Sequence, residues 1–327
     1  MSEQKPTIKI NFSDFWSTFD KHENNTFMRL LSPYFNLEIC EDADFLIYSC
    51  FGNEFRKFKG IRIFYSGENM GADFNECDFA LTHDFLDHPR HFRFPCHIRR
   101  LMVQQIKNPN VHIYKSEDKE EIIKRKTKFC SFLVSNSEAK ERIDFFHQLS
   151  KYKKIDSAGK TLNNMGGQRP ADQLAFHLPY KFNLCFENAS YPGYTTEKIA
   201  FAMMADCIPI YWGDPEVGRF FNTKSFINIA DYATYEEAIE HIIEIDNDEE
   251  LYRDYLSRPF IYTDEETFIN KAEFIDFIRH IFEQKGKIQP VSQAPYSNLY
   301  PYVKAARRWY SMSRLFRKNK PLDRWKN

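Results

Sequence analysis

The stretch over 181–215, KFNLCFENASYPGYTTEKIAFAMMADCIPIYWGDP, constrains the fold more than any other part of the chain. It reads as an apolar strand, a Gly-containing turn, a helix and a second apolar strand, an order that belongs to α/β folds. In that order the turn and the helix N-terminus point at one spot. Glu197 and Lys198 fall at or just inside that N-terminus, so an acid and a cation sit together beside the positive end of a helix dipole. Such a place suits a sugar nucleotide. The acid can accept from ribose hydroxyls, and the cation and free N–H groups can hold a diphosphate.

The 327 residues allow one large domain or two of about 150 residues each. Apolar runs over 8–12, 37–40, 45–50, 61–66 and 79–82 predict short strands, with a helix at about 26–31. Over 108–128 the chain becomes charged and loses its apolar rhythm. This segment reads as a domain connection, the alternative being one solvated surface helix inside a single domain. A second series follows, with strands over 129–134, 154–157, 182–186, 208–212 and 226–229. Ser135 and Glu138 have capping-box spacing ahead of a helix through about Leu149, and Pro170 opens a helix ending near His177. Further helices are expected over 235–245 and 265–284. Two such halves with a cleft between them match, by fold analogy, the GT-B architecture, so the expected fold is α/β of the GT-B type, two Rossmann-like domains facing each other across a cleft. The N-terminal domain would span 1–125, the C-terminal domain 126–285, and a basic amphipathic tail 286–327.

Composition narrows the setting. Apolar residues make up 43% of the chain, enough for sizeable cores, and 32 Phe, 18 Tyr and 4 Trp supply rings for core and sugar cleft alike. The net charge of −1 hides an asymmetry: 304–327 carries nine Lys/Arg against one acid, a charge of +8, leaving 36 basic against 45 acidic residues, or −9, for the rest. An acidic body argues against nucleic acid as a partner. The seven Cys are odd in number and form no CxxC pair, which predicts reduced, mostly buried thiols in a cytosolic protein. The N-terminus has no signal-peptide pattern, and no run of about 18 apolar residues predicts a membrane-spanning helix.

The segment YKFNLCFENASYPGYTTEKIAFAMMADCIPIYWGDPEV contains FxLxFEN, GYxTEK and IPIYWG in order. It resembles the donor-binding motif of α-1,3-fucosyltransferases, glycosyltransferase family 10. IFYSGEN, at residues 63–69, is similar to that family's segment in the N-terminal domain. LVSNSEAKERIDFFHQL places Arg142 where the family carries a basic residue, and FNTKSFINIADY also fits. The resemblance covers about 63–262 and is closer to the bacterial, soluble members. Pro192 in the turn and a tail without a heptad array depart from those relatives, which bears on acceptor choice.

The resemblance implies transfer of L-fucose from GDP-β-L-fucose to a hydroxyl of a GlcNAc-containing glycan, with inversion to an α-1,3/4 linkage. Another GDP-hexose donor and a non-catalytic module binding a nucleotide sugar or glycan are the alternatives. Glu68, after a strand in the SGEN turn, is the candidate base; otherwise it is a turn acid capping the next segment. Arg142 and Lys198 are the candidate diphosphate ligands. The bland reading of Arg142 is a solvated helix-face charge. For Lys198 it is a first-turn surface lysine, a choice that opposes the helix dipole. Glu197 binds ribose hydroxyls, stabilises the helix N-terminus, or does both. Asn188 and Tyr194 line the turn as further donor contacts, Tyr191 contacts the donor or packs, and Glu187 ends the strand as a structural acid.

No metal site and no required cofactor are expected, with Mn²⁺ stimulation left open. Asp42-Ala43-Asp44 reads as a strand-entry turn rather than a metal triplet, and His83, His88, His91 and His97 as acceptor-loop or surface residues rather than a zinc site. In the tail, 302–318 spaces Tyr302, Ala306, Trp309, Ser313 and Phe316 at helical intervals, with Arg307, Arg314 and Lys318 on another face. That pattern predicts docking on an anionic membrane surface, or packing on the acidic body of the same chain. A cytoplasmic enzyme, peripheral at the inner membrane face and acting on an oligosaccharide or lipid-linked glycan, is the expectation; the oligomeric state is not readable.

Overall fold

Runs such as FLIY, IRIFY, FALT and IPIY are buried along their whole length. A strand apolar on both faces needs cover on both, the situation of a parallel sheet between layers of helix. The computed structural model, which describes residues 4–22, 25–113, 119–294, 300–302 and 304–305, contains two such sheets.

The first is built from β1 (Thr7–Ser13), β2 (Asn36–Ile39), β3 (Phe45–Tyr48), β4 (Ile61–Tyr65), β5 (Phe79–Thr82) and β6 (His91–Arg93). Its order is β2-β1-β3-β4-β5-β6, and every pairing is parallel. Helix α1 (Thr26–Leu31) follows β1, capped by Asn25, whose side chain accepts from the Met28 N–H at 2.9 Å. Helix α2 (Cys96–Lys107) follows β6, and α3 (Lys119–Arg125) lies in the charged connection.

The second sheet comprises β7 (Lys128–Phe132), β8 (Ile155–Ser157), β9 (Tyr180–Leu184), β10 (Ile208–Tyr211) and β11 (Ile227–Asn228), in the order β11-β10-β9-β7-β8, again all parallel. Its helices are α4 (Lys140–Leu149), α5 (Gln173–His177), α6 (Glu197–Met204), α7 (Tyr235–Asn247) and α8 (Glu249–Ser257), followed by α9 (Glu265–Ile269) and α10 (Lys271–Phe282).

Both sheets reverse their strand order once: the first between β1 and β3, the second between β7 and β9. Open α/β sheets bind ligands in the crevice at the carboxyl ends of the strands flanking such a reversal. One cavity is lined by residues that follow β1, β3, β4, β7 and β9, so the two crevices open onto a shared cleft. This is the GT-B arrangement.

Several features differ from the sequence expectation. The helix expected from Ser135 begins at Lys140, because the Asn136 side chain takes the Glu138 N–H (2.7 Å) in a turn instead of a capping box. The single helix expected over 265–284 is broken at Asn270, which adopts the left-handed conformation (φ 51°) that Asn tolerates better than most residues. Helix α10, which the sequence boundaries place with the second domain, packs on the first sheet. Phe274 stacks on Phe94 (ring centroids 4.3 Å apart), Phe282 meets Phe45 (4.9 Å) and Phe277 meets Phe79 (6.1 Å). Each such ring contributes about 1.5–3 kcal/mol when buried, so these contacts tie the chain end firmly to the first sheet.

Candidate active site

The second sheet brings the turn chemistry together first. The chain leaves β9 through Cys185, Phe186 and Glu187 and enters α6 at Glu197, with Thr196 as the N-cap residue. Glu187 is fully buried, and its two oxygens accept from the Thr196 N–H (2.6 Å), the Thr196 hydroxyl (2.7 Å) and Lys198 Nζ (2.9 Å). This carboxylate from the preceding strand therefore satisfies an orphan donor at the helix end and offsets the cation that the dipole disfavours. Gly213 makes room for it: a Cβ there would lie 2.5 Å from Glu187 Cγ. Gly193 (φ 83°) lets the turn approach the first domain, since a Cβ on it would meet the His83 carbonyl oxygen at 2.5 Å.

Lys198 is shared between Glu187 and the Thr196 hydroxyl (2.7 Å), and it lines the cavity. Burial alone would lower its proton affinity, but Glu187 and Glu197 more than offset that, and it is held above the usual lysine range. Arg142 reaches in from α4 and is buried. Its Nη2 donates to the Phe186 carbonyl (2.6 Å) and to Asn188 Oδ1 (2.8 Å), and Nε to the same carbonyl (3.2 Å). Arg142 is thus no solvated helix-face charge. Burial pulls its proton affinity down and Glu187 opposes the shift; an arginine remains a cation there.

Glu197 and Glu68 lie in contrasting environments. Glu197 accepts from the Cys96 thiol at 3.1 Å. Burial would raise its carboxyl, yet Lys198, Arg100 and the thiol hold it down at about 2. Glu68 follows β4 in a turn pinned by Ser66, whose hydroxyl donates to the Glu68 carbonyl (2.9 Å) and accepts its N–H (3.1 Å). Glu68 is exposed on the cleft wall, but loss of water at its carboxyl holds it above the usual carboxylate range; Glu197 and Glu187 add to the rise and Lys198 opposes it.

Glu68, Arg142, Asn188, Tyr194, Glu197 and Lys198 all line one cavity of about 300 Å³. Tyr194 is buried in its wall, whereas Tyr191 is exposed and sits edge-on to His83 outside the lining (5.7 Å).

Residues 10–99 match the α-(1,3)-fucosyltransferase FucT N-terminal domain, and residues 123–288 match the glycosyltransferase family 10 (fucosyltransferase) C-terminal domain. The chain belongs to glycosyltransferase family 10. It is 30% identical over 293 residues to the α-(1,3)-fucosyltransferase FucT of Helicobacter pylori, covering 78% of this chain and 60% of that protein. It is 26% identical over 195 residues to human GDP-fucose protein O-fucosyltransferase 3, covering 57% of this chain and 39% of that one. It thus spans less than two thirds of the length of these relatives. A crystal structure of an α1,3-fucosyltransferase with GDP-fucose superimposes with a TM-score of 0.71 at 28% identity, covering 86% of this chain and 92% of that one.

This family 10 chain also carries site residues that its sequence motifs did not mark. Arg99 and Arg100, on α2, and Arg169, in the loop before α5, line the same cavity. The sequence expectation has no helix over 96–107, because Pro95 precedes it in place of a Ser, Thr, Asp or Asn cap. The available signal was the apolar spacing of Ile98, Leu101 and Met102.

The other expectations fall away from the cavity. Asp42 pairs with Lys9 (2.9 Å) and Asp44 with Lys285 (2.7 Å). Among the described residues no cluster of three or more His, Cys, Asp or Glu has metal-holding geometry. His83, His91 and His97 are buried rather than at the surface: His97 Nδ1 pairs with the Thr195 carbonyl (2.9 Å) where the two domains meet, and His91 pairs with the Thr82 hydroxyl (2.9 Å). No helix among the described residues is long and apolar enough to cross a membrane. Of the tail helix, Lys304 pairs with Asp73 (2.8 Å) and Glu76, and Tyr302 is exposed; residues 303 and 306–318 lie outside the described residues.

Proposed function

We propose that the protein is an inverting fucosyltransferase, moving L-fucose from GDP-β-L-fucose to a hydroxyl of a GlcNAc-containing glycan in an α-1,3/4 linkage. The observation that carries the reading is a single cavity in a family 10 chain lined by both a carboxyl held high and a fixed set of cations. Glu68 takes the proton of the acceptor hydroxyl as its oxygen forms the new bond to the fucose anomeric carbon. The bond from that carbon to the β-phosphate oxygen breaks, and its electron pair leaves with GDP. Lys198 and Arg142 meet that charge, already positioned by Glu187 and by the Phe186 carbonyl. Glu197, ionised at neutral pH, accepts from ribose hydroxyls, while Asn188 and Tyr194 complete the donor wall. The similarity to FucT of Helicobacter pylori supports a glycan acceptor. In this reading the basic tail docks a cytoplasmic enzyme on an anionic inner membrane surface, where lipid-linked glycans reside.

The test is GDP release from GDP-fucose with and without N-acetyllactosamine, beside GDP-mannose and UDP-galactose. Acceptor-dependent release from GDP-fucose alone is expected. Release from another donor would replace the sugar in the proposal, and absence of turnover with any donor would refute it.

A further inference from the structure

The strand reversal of the first sheet lies between β1 and β3, and each of these strands is followed within three residues by an exposed aromatic. Trp16 follows β1 and is 37% exposed; Phe51 follows β3 and is 51% exposed. Their rings meet edge to face at 6.4 Å, and both line the cleft that holds Glu68.

Exposed rings of this size cost burial free energy unless something covers them, and these two are built in place. Asp14 joins the two loops. It adopts a left-handed conformation (φ 58°) rare for a residue with a side chain, and its carbonyl accepts the Phe51 N–H (3.0 Å). Its carboxylate accepts the N–H groups of Glu54 (2.9 Å) and Phe55 (2.7 Å). Gly52 admits that carboxylate, since a Cβ there would lie 2.1 Å from Asp14 Oδ1. On its other side Trp16 is braced edge-on by Phe15 (5.6 Å) and Phe19 (5.4 Å). Arg99 lies 5.9 Å from the Trp16 ring and is tied to the Thr26 hydroxyl (2.8 Å). Its buried Nε has no hydrogen-bond partner among the described residues. A pair of exposed rings held this rigidly, with a cation beneath and a carboxyl alongside, is unlike a loop whose aromatics merely cover core.

We propose that Trp16 and Phe51 form the acceptor platform: a pyranose ring of the acceptor glycan lays its C–H face on them and turns its hydroxyl edge toward Glu68. The inference rests on the fucosyltransferase reading and specifies its acceptor subsite. The chemistry fits a saccharide, because a pyranose has an apolar face that aromatic rings bury and an edge of hydroxyls that stays in the polar cleft. Asp14 is a positioning residue that acts through the two loops.

The platform is tested by steady-state kinetics of the full chain with N-acetyllactosamine and GDP-fucose varied in turn. Trp16→Ala and Phe51→Ala are expected to raise the KM for N-acetyllactosamine at least about tenfold, while the KM for GDP-fucose stays within about twofold. Trp16→Phe and Phe51→Tyr, which keep an aromatic face, are expected to restore most of the acceptor KM. Phe51 is exposed enough for its truncation to leave the thermal unfolding midpoint in place, so a loss there reports binding rather than folding. An unchanged acceptor KM in both alanine variants, with the wild type active, overturns the platform and leaves the enzyme reading standing. Equal rises in both KM values also overturn it, since they place the rings on the donor. A wild type that binds GDP but transfers nothing from GDP-fucose overturns the underlying reading, and the platform with it.

Discussion

Replacing Lys198 by Met tests whether that cation is a ligand for diphosphate or only a strut for Glu187. The ammonium has three protons, two of them directed at Glu187 Oε2 (2.9 Å) and the Thr196 hydroxyl (2.7 Å). The third is left for the cavity that Lys198 lines. A hydrogen bond from a charged donor contributes about 1.5–3 kcal/mol, so losing one to phosphate should weaken GDP about 10- to 150-fold. Stability falls as well. Removing one partner of a buried ion pair costs about 3–5 kcal/mol when the other is stranded. Here Glu187 keeps two donors from Thr196, and the Lys198 side chain is 17% exposed, which discounts the loss to about 1–3 kcal/mol. Calorimetric titration with GDP and urea unfolding of the same variant separate the two effects, with Lys140→Met, an exposed position on α4, as the control. A variant less stable by this amount that still binds GDP within about twofold of wild type would show that Lys198 serves Glu187 alone.

Glu68→Gln should cut kcat by about 10²–10⁴ with GDP affinity intact; a variant with near wild-type turnover removes Glu68 as the base. Because the carboxyl of Glu68 is held high and must be ionised to act, turnover in the wild type should fall as pH drops through that raised value, and a Glu68→Gln residual rate should lack this limb. Glu197, held down at about 2, contributes stability that is complete above the ordinary glutamate value of about 4.3 and is lost as pH falls toward 2. The stability gap between wild type and Glu197→Gln in urea should therefore narrow as pH is lowered below about 4.5, and a gap independent of pH would refute the assignment. Truncation after Ala305 should abolish cosedimentation with anionic vesicles, and retained binding would refute the membrane role of the tail.

The sequence was most informative where chemistry is local. Thr196, Glu197 and Lys198 are neighbours in the chain, so the acid and cation at the start of α6 could be placed without knowing the fold. Glu68 was legible for the same reason, as an acid in a turn at the end of an apolar strand. What could not be read is set through space. Glu187 looked like the end of a strand, and its triple acceptance from Thr196 and Lys198 exists only once α6 folds back over β9. Arg99 and Arg100 sit on α2, whose start has no polar cap, and they reach the cavity only because α2 packs against α6 across the domain boundary. The return of α10 to the first sheet rests on ring contacts between residues some 180 to 240 positions apart, which no local pattern encodes.

Two carboxylates on one cavity are pushed in opposite directions, and one helps to cause the shift in the other. Glu197 can remain ionised because Lys198, Arg100 and the Cys96 thiol surround it. Loss of water is the largest cause of the rise at Glu68 on the facing wall; the negative charges of Glu197 and Glu187 add to it and Lys198 opposes them. Environment separates the two acids into one held low and one held high. The separation also couples the domains, since Glu68 belongs to the first sheet and both Glu187 and Glu197 to the second. Opening of the cleft would return water to the Glu68 carboxyl, the largest cause of its rise, and relax it toward the ordinary range, while Lys198 and the two acids, all on the second domain, would recede together. The proton-accepting strength proposed for Glu68 is therefore greatest when the cleft is closed, the state in which donor and acceptor would be held together.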